Sequence, residues 1–182
     1  EKGEKITELI YDKKYNRKCE FALRNYEIVA EMAKEAGLSL PISKEEIDES
    51  INIDFYSAAY SSKIMLPLLL KSETPAIINV ASSAALMALG GTSMYSASKA
   101  AVKGLTEAMR EELRGEAYIG LVCPGFTKTD IFRNQGETNG MDLINMVSTP
   151  CDKAVNRILK GILSKKSYIV VGFDGNAMGK FN

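Results

Sequence analysis

Residues 76–125 read AIINVASSAALMALGGTSMYSASKAAVKGLTEAMREELRGEAYIGLVCPG, and the order of patterns within this stretch decides the fold. Ala76 to Ala81 is a short apolar run rich in branched residues, as expected of a strand buried on both faces. From about Met94 to Arg114 the period becomes helical: Ala97, Ala100, Ala101, Gly104, Leu105, Ala108 and Met109 form a small-residue face, and Gly115 ends the helix. Tyr118 to Cys123 is a second buried strand, stopped by Pro124-Gly125. A strand, a helix and a strand in succession require a crossover connection, hence parallel strands with a helix on the sheet.

Downstream, Cys151 to about Ser164 is helical and Tyr168 to Val171 is a last strand, so the second half predicts a mostly parallel α/β sheet with helices on its faces. Between them, residues 126–149 are polar and Gly-interrupted, with a short apolar patch at Leu143, Ile144, Met146 and Val147. Upstream, Ser43 with Glu46 three residues on forms a capping box that opens a short helix from Lys44 to about Ser50. A longer helix follows from about Ile51 to Leu70; its small and apolar residues predict that it is largely buried. Cys19, Ala22, Leu23, Tyr26, Val29, Ala30 and Ala33 recur at helical spacing and Gly37 supplies a stop, so residues 1–36 are read as a charged helical segment and 37–182 as the α/β domain.

Composition narrows the chemistry. The chain has 182 residues, 23 Lys+Arg against 23 Asp+Glu, and no His. Zero net charge argues against a general nucleic-acid binder. Without histidine there is no Ser-His-Asp or Cys-His catalysis within the chain and no zinc site that needs an imidazole, and no metal site is expected. Cys19, Cys123 and Cys151 are odd in number and far apart, which suits reduced structural thiols in a cytoplasmic protein. The longest apolar stretch, Ile64 to Leu70, is far short of the roughly 20 residues that span a bilayer, and no signal or transit pattern is seen. Acid–base work therefore falls to Tyr, Lys, Asp, Glu or Cys.

Tyr95 and Lys99 stand four apart on the predicted helix, so they share one face. An ammonium beside a phenol favours the phenolate, the form a tyrosine general base needs near neutrality. Ser82 ends the AIINVA strand on the side where ligands collect in open α/β sheets. INVASS (78–83), YSASKAAVKGLTEAMREEL (95–113) and LVCPGFTKT (121–129), in this order and spacing, resemble the short-chain dehydrogenase/reductase family from about Ile51 to Val171.

The resemblance implies a three-layer Rossmann-type doubly wound parallel sheet, here lacking part of its N-terminal half. It also implies hydride transfer between NAD or NADP and a small-molecule carbonyl or alcohol, with a homodimer or homotetramer as the assembly. Tyr95 would exchange the proton at the substrate oxygen, and Ser82, preferred over Ser83, would polarise that oxygen. Lys99 would hold the nicotinamide ribose and favour the Tyr95 phenolate. Pro124, Gly125, Thr127 and Thr129 would complete the cofactor-binding set.

Two positions depart from the family pattern. Asp54 stands where a catalytic Asn is usual, with Asn52 two residues before it. Its carboxylate either points into the site, within reach of a water chain that links Lys99 to solvent, or is a tolerated change in a helix bend where only its backbone carbonyl matters. In addition, the sequence has no Thr-Gly-x-x-x-Gly-x-Gly loop to seat a pyrophosphate, although Ala36-Gly37 resembles the remnant of a later motif. Either an N-terminal portion is omitted or the cofactor half has been lost. In the second case the chain would be a non-catalytic binding or oligomerisation scaffold.

Overall fold

In a computed structural model, residues 43–88, 90–129 and 148–172 are described, together with Ile28, Glu31, Met32, Lys34 and Glu35. The chain divides into two compact units, Glu1–Asp48 and Glu49–Asn182. In the first, the five isolated positions are helical; the rest of the helix predicted from Cys19 lies outside the described residues, as do Cys19 and the apolar patch at 143–147. The capping box is formed reciprocally: the Ser43 N–H donates to Glu46 Oε2 at 2.7 Å and the Glu46 N–H donates to Ser43 Oγ at 3.1 Å. Hydrogen bonds to the carboxylate from Ser43, its backbone N–H foremost, hold the Glu46 carboxyl below its ordinary range. They open helix α1, Lys44–Ser50.

In the second unit a π-helical segment covers Ile51–Tyr56, where the Ser57 N–H reaches back to the Asn52 carbonyl. Helix α2, Ser57–Leu69, continues from it. Strand β1 is Ala76–Val80, helix α3 Ser93–Glu112 and strand β2 Tyr118–Pro124. Two-residue strands β3, Thr127–Lys128, and β4, Thr149–Pro150, pair in parallel; they were not foreseen, because two residues carry no periodicity. Helix α4, Cys151–Leu163, and strand β5, Tyr168–Val171, complete the described chain.

The main sheet has the order β1-β2-β5 and both its pairings are parallel. Ala76 lies opposite Tyr118 and Val80 opposite Val122, while Leu121 lies opposite Tyr168. Alternate β2 side chains serve opposite layers, as the two-residue period requires. Ile119 packs with Ile77, Met109 and Leu113 on the α2/α3 side. Leu121 and Cys123 pack with Ala81 and Val102, again on the α3 side. Val122 turns the other way, against Ala154, Ile169 and Val171 beneath α4. The result is three layers, helix, sheet and helix.

Burial corrects three expectations. The helix through residues 51–70 is not largely buried: Ser62 is its one buried residue in α2, whereas Ile64 is 71% and Leu68 61% exposed. An outer-layer helix offers only one stripe to the sheet, and here Leu66 and Leu69 take it. On α3 the buried face is Ser98, Val102, Thr106 and Met109, while Ala97, Ala100, Gly104 and Ala108 point outward. Strand β1 is buried only at Ile77 and Asn79, and Val80 is exposed, because among the described residues β1 is hydrogen-bonded along one edge only.

Asn79 is the polar exception in the core. Its amide donates to Thr106 Oγ1 at 3.0 Å and its carbonyl accepts from Ser62 Oγ at 3.4 Å, tying β1 to α3 and α2. Against the opposite face, Gly161 of α4 allows close approach to the sheet: a Cβ there would lie 2.7 Å from an Ile169 side-chain carbon. Ile169 is 4% exposed and β-branched, so it has little room to turn. Gly161→Ala gains helix propensity of about 1 kcal/mol but overpacks the core at about 1–3 kcal/mol. A net loss of stability is expected, measured as a lower urea midpoint at unchanged slope.

Candidate active site

The parallel register sends the carboxyl ends of β1 and β2 to the same edge of the sheet, where open α/β sheets bind their ligands. Ser82 follows β1 in extended conformation and half-buried, its Oγ accepting the Ala84 N–H at 3.2 Å to cap the turn Ser83–Ala85. Because the hydroxyl acts there as an acceptor, its own proton remains for donation. Ser83 is 8% exposed, within the turn. That turn packs against α3, the helix that carries Tyr95 and Lys99.

Tyr95 sits in the first turn of α3 and is 42% exposed. Lys99, one turn later, places Nζ 5.6 Å from the centroid of the Tyr95 ring. The same ammonium pairs with Asp54 Oδ1 at 2.9 Å, both side chains being mostly shielded from solvent. The other carboxylate oxygen, Oδ2, accepts from Ser98 Oγ at 2.7 Å, and Ser98 is fully buried. Asp54 therefore points inward, with one carboxylate oxygen on the Lys99 ammonium and the other on the Ser98 hydroxyl. The π-helical segment carries Asp54 and packs on α3; such wide turns recur at functional sites.

Tyr95, Lys99 and Asp54 are thus brought together. Ser98 joins them, a residue that the sequence reading passed over although it stands between Tyr95 and Lys99 in the quoted motif. Its place between Tyr95 and Lys99 within the motif was the available signal. Ser82 reaches the same end of the sheet from β1. Pro124 and Gly125 end β2, where the Gly125 N–H donates to the Val171 carbonyl at 2.7 Å. Thr127 Oγ1 donates to the Gly125 carbonyl at 3.1 Å, and Thr129 is exposed beyond it. A groove of about 790 Å³ lined by Lys103, Glu107, Arg157, Lys160, Lys166 and Tyr168 runs along β5, and neither Ser82, Tyr95 nor Lys99 lines it.

A sequence profile described as short chain dehydrogenase matches residues 14–140. SadH of Mycobacterium tuberculosis is 30% identical over 146 residues, which cover 74% of this chain and 52% of that protein. The ketoacyl reductase HetN of a Nostoc strain is 32% identical over 130 residues, covering 71% of this chain and 45% of that protein. The chain therefore belongs to the short-chain dehydrogenase family, and it spans about half the length of these relatives. A short-chain dehydrogenase from Burkholderia cenocepacia, solved in complex with NADP, superposes with a TM-score of 0.64 at 24% identity, covering 76% of this chain and 56% of that one. One from Sphingobium yanoikuyae, in complex with NADPH, gives 0.62 at 24% identity, covering 71% and 50%. These likenesses show the Rossmann-type α/β fold.

Of the cysteines, Cys151 is exposed at the start of α4, whereas Cys123 is buried in β2, and both are free thiols. Burial pushes the Cys123 thiol from 9.0 up to about 11, which keeps it protonated and inert. Native protein at pH 8 should leave Cys123 unmodified by iodoacetamide, with modification appearing in urea, as peptide mass mapping would show. Because the folded value is the raised one, its stabilising contribution is complete below pH 9 and is lost as pH climbs from 9.0 to about 11.

Proposed function

We propose that this chain carries the proton-handling half of an oxidoreductase that transfers hydride between NAD or NADP and a small-molecule carbonyl or alcohol. The observation that carries this reading is the grouping of Tyr95, Lys99 and Asp54 on α3 and the π-helical segment, at the sheet end where Ser82 emerges. Tyr95 is accessible enough to meet a substrate and acts as proton donor to the carbonyl oxygen, or as acceptor in the reverse direction. Ser82 donates its hydroxyl hydrogen to the same oxygen and disperses the charge that develops there. Lys99 sets its ammonium beside the Tyr95 ring, and Asp54 anchors Lys99.

The donor set at the carboxyl ends of β1 and β2 fits the nicotinamide end of a dinucleotide. Lys99 and Tyr95 would hold the ribose hydroxyls, the Pro124-Gly125 turn would face the ring, and Thr127 and Thr129 would offer hydroxyls to its amide. When bound, the dinucleotide supplies or accepts the hydride. The pyrophosphate end has no counterpart in these residues, since no glycine-rich loop is present in the sequence. The outward stripe Tyr60, Ile64 and Leu68 of α2 and the small outward residues of α3 are the surfaces through which a homodimer or homotetramer would form. Among the described residues no helix is long and apolar enough to cross a membrane, and the reduced Cys123 suits a cytoplasmic setting.

Tyr95→Phe removes only the phenolic oxygen and its proton. In the whole protein it should leave the fold intact and cut carbonyl reduction by about 10²–10⁴, the usual worth of a positioned general acid; near wild-type turnover would show that another group is the acid.

The 182 residues by themselves should bind NADPH or NADH weakly or not at all, because a backbone cradle for the phosphates is lacking. Calorimetric titration checks this, and low-micromolar binding would reveal a phosphate seat elsewhere in the chain.

A further inference from the structure

We propose that Ser98 is a positioning residue, whose buried hydroxyl aims the Asp54 carboxylate at Lys99 and so holds the ammonium in place beside Tyr95. The functional meaning of this device rests on the proposal that Tyr95 and Lys99 handle the proton. The device itself rests on three contacts. Ser98 Oγ lies 2.7 Å from Asp54 Oδ2 and 2.8 Å from the Tyr95 carbonyl, and Lys99 Nζ lies 2.9 Å from Asp54 Oδ1.

A serine inside a helix ordinarily bonds back to a carbonyl in the preceding turn. Here its single proton has a second acceptor, and hydrogen bonds to an ionised carboxylate are the stronger kind. Ser98 and Lys99 are consecutive on α3, so they grip the two carboxylate oxygens from different directions. With both oxygens held, rotation of the carboxylate about its Cβ–Cγ bond is stopped and its negative charge stays on the ammonium. Ser98 is fully buried and Asp54 largely so, which leaves water a poor substitute for the missing donor. Without the hydroxyl, Oδ2 turns to find another partner and the pair with Lys99 loosens.

The test is lysine side-chain NMR of the 182-residue chain with its ammonium groups labelled with ¹⁵N, at one fixed near-neutral pH. Ammonium protons open to water exchange too fast to give a correlation, whereas an ammonium locked in a shielded carboxylate pair gives one. The Lys99 signal is assigned by its disappearance in Lys99→Arg. It should be present in the wild type, lost in Asp54→Asn, lost in Ser98→Ala and retained in Ser98→Thr, which keeps the hydroxyl.

Survival of the signal in Ser98→Ala overturns the proposal, as does its absence from the wild type. Loss in Ser98→Thr as well as in Ser98→Ala also overturns it, since the residue would then serve only to fill space. Should Ser98→Ala not fold, Ser98→Cys keeps the volume with a much weaker donor and carries the same expected loss. Full turnover by Tyr95→Phe would remove the catalytic reading while leaving this signal untouched, so the two failures are separable.

Discussion

Strand β2 is the constraint on which the rest of the molecule depends. Leu121, Val122 and Cys123 have no exposed surface, and their side chains alternate between the layer of α2 and α3 and the layer of α4. A strand in that position must be apolar on both faces, must be paired along both edges and must receive its neighbours in parallel. Both neighbouring strands then deliver their carboxyl ends to one side. Ser82 leaves β1 there and Pro124-Gly125 leaves β2 there, so the burial of a central strand also locates the candidate active site.

Helix α3 joins that core to the chemistry, and it does so with polar residues on its buried face. Thr106 Oγ1 accepts from the amide of Asn79, and on the same stripe toward the amino end Ser98 donates to the carboxylate of Asp54. Among the described residues every buried side-chain nitrogen and oxygen has a partner. That completeness matters, because a buried polar group left without one costs about 1–3 kcal/mol. The two contacts differ in kind. The Asn79–Thr106 bond is neutral and secures the helix to the sheet, whereas the Asp54–Ser98 bond is to a charge and secures the environment of Lys99. The Asp54–Lys99 pair follows the same logic: each charge is removed from water, and each is matched by the other.

Solved members of the family share the arrangement of sheet and helices with this chain at 24% identity. Asp54 stands at the position where the family resemblance implies an Asn. It adds a carboxylate beside the Lys99 cation, and the pairing removes the conflict that a lone buried carboxylate would create.

Sequence alone determined the elements whose signals are local. The capping box at Ser43 and Glu46, the branched run 76–80, the helix closed near Gly115 and the strand 168–171 each depend on neighbours within a turn or two, and each appears where its pattern predicts. Tyr95 and Lys99 were legible for the same reason, being one turn apart. What lay beyond the sequence was direction and partnership. The small residues of α3 suggested a packing face, yet the sheet selected the face of Ser98, Val102 and Thr106, because layers contributed by distant segments decide which stripe is covered. The outward stripe of α2 reversed expectation on the same ground. Asp54 and Ser98 stand 44 residues apart, and no local period joins them. Only when the π-helical segment lies against α3 does a carboxylate from one find the hydroxyl and ammonium of the other, and that meeting is a property of the tertiary structure.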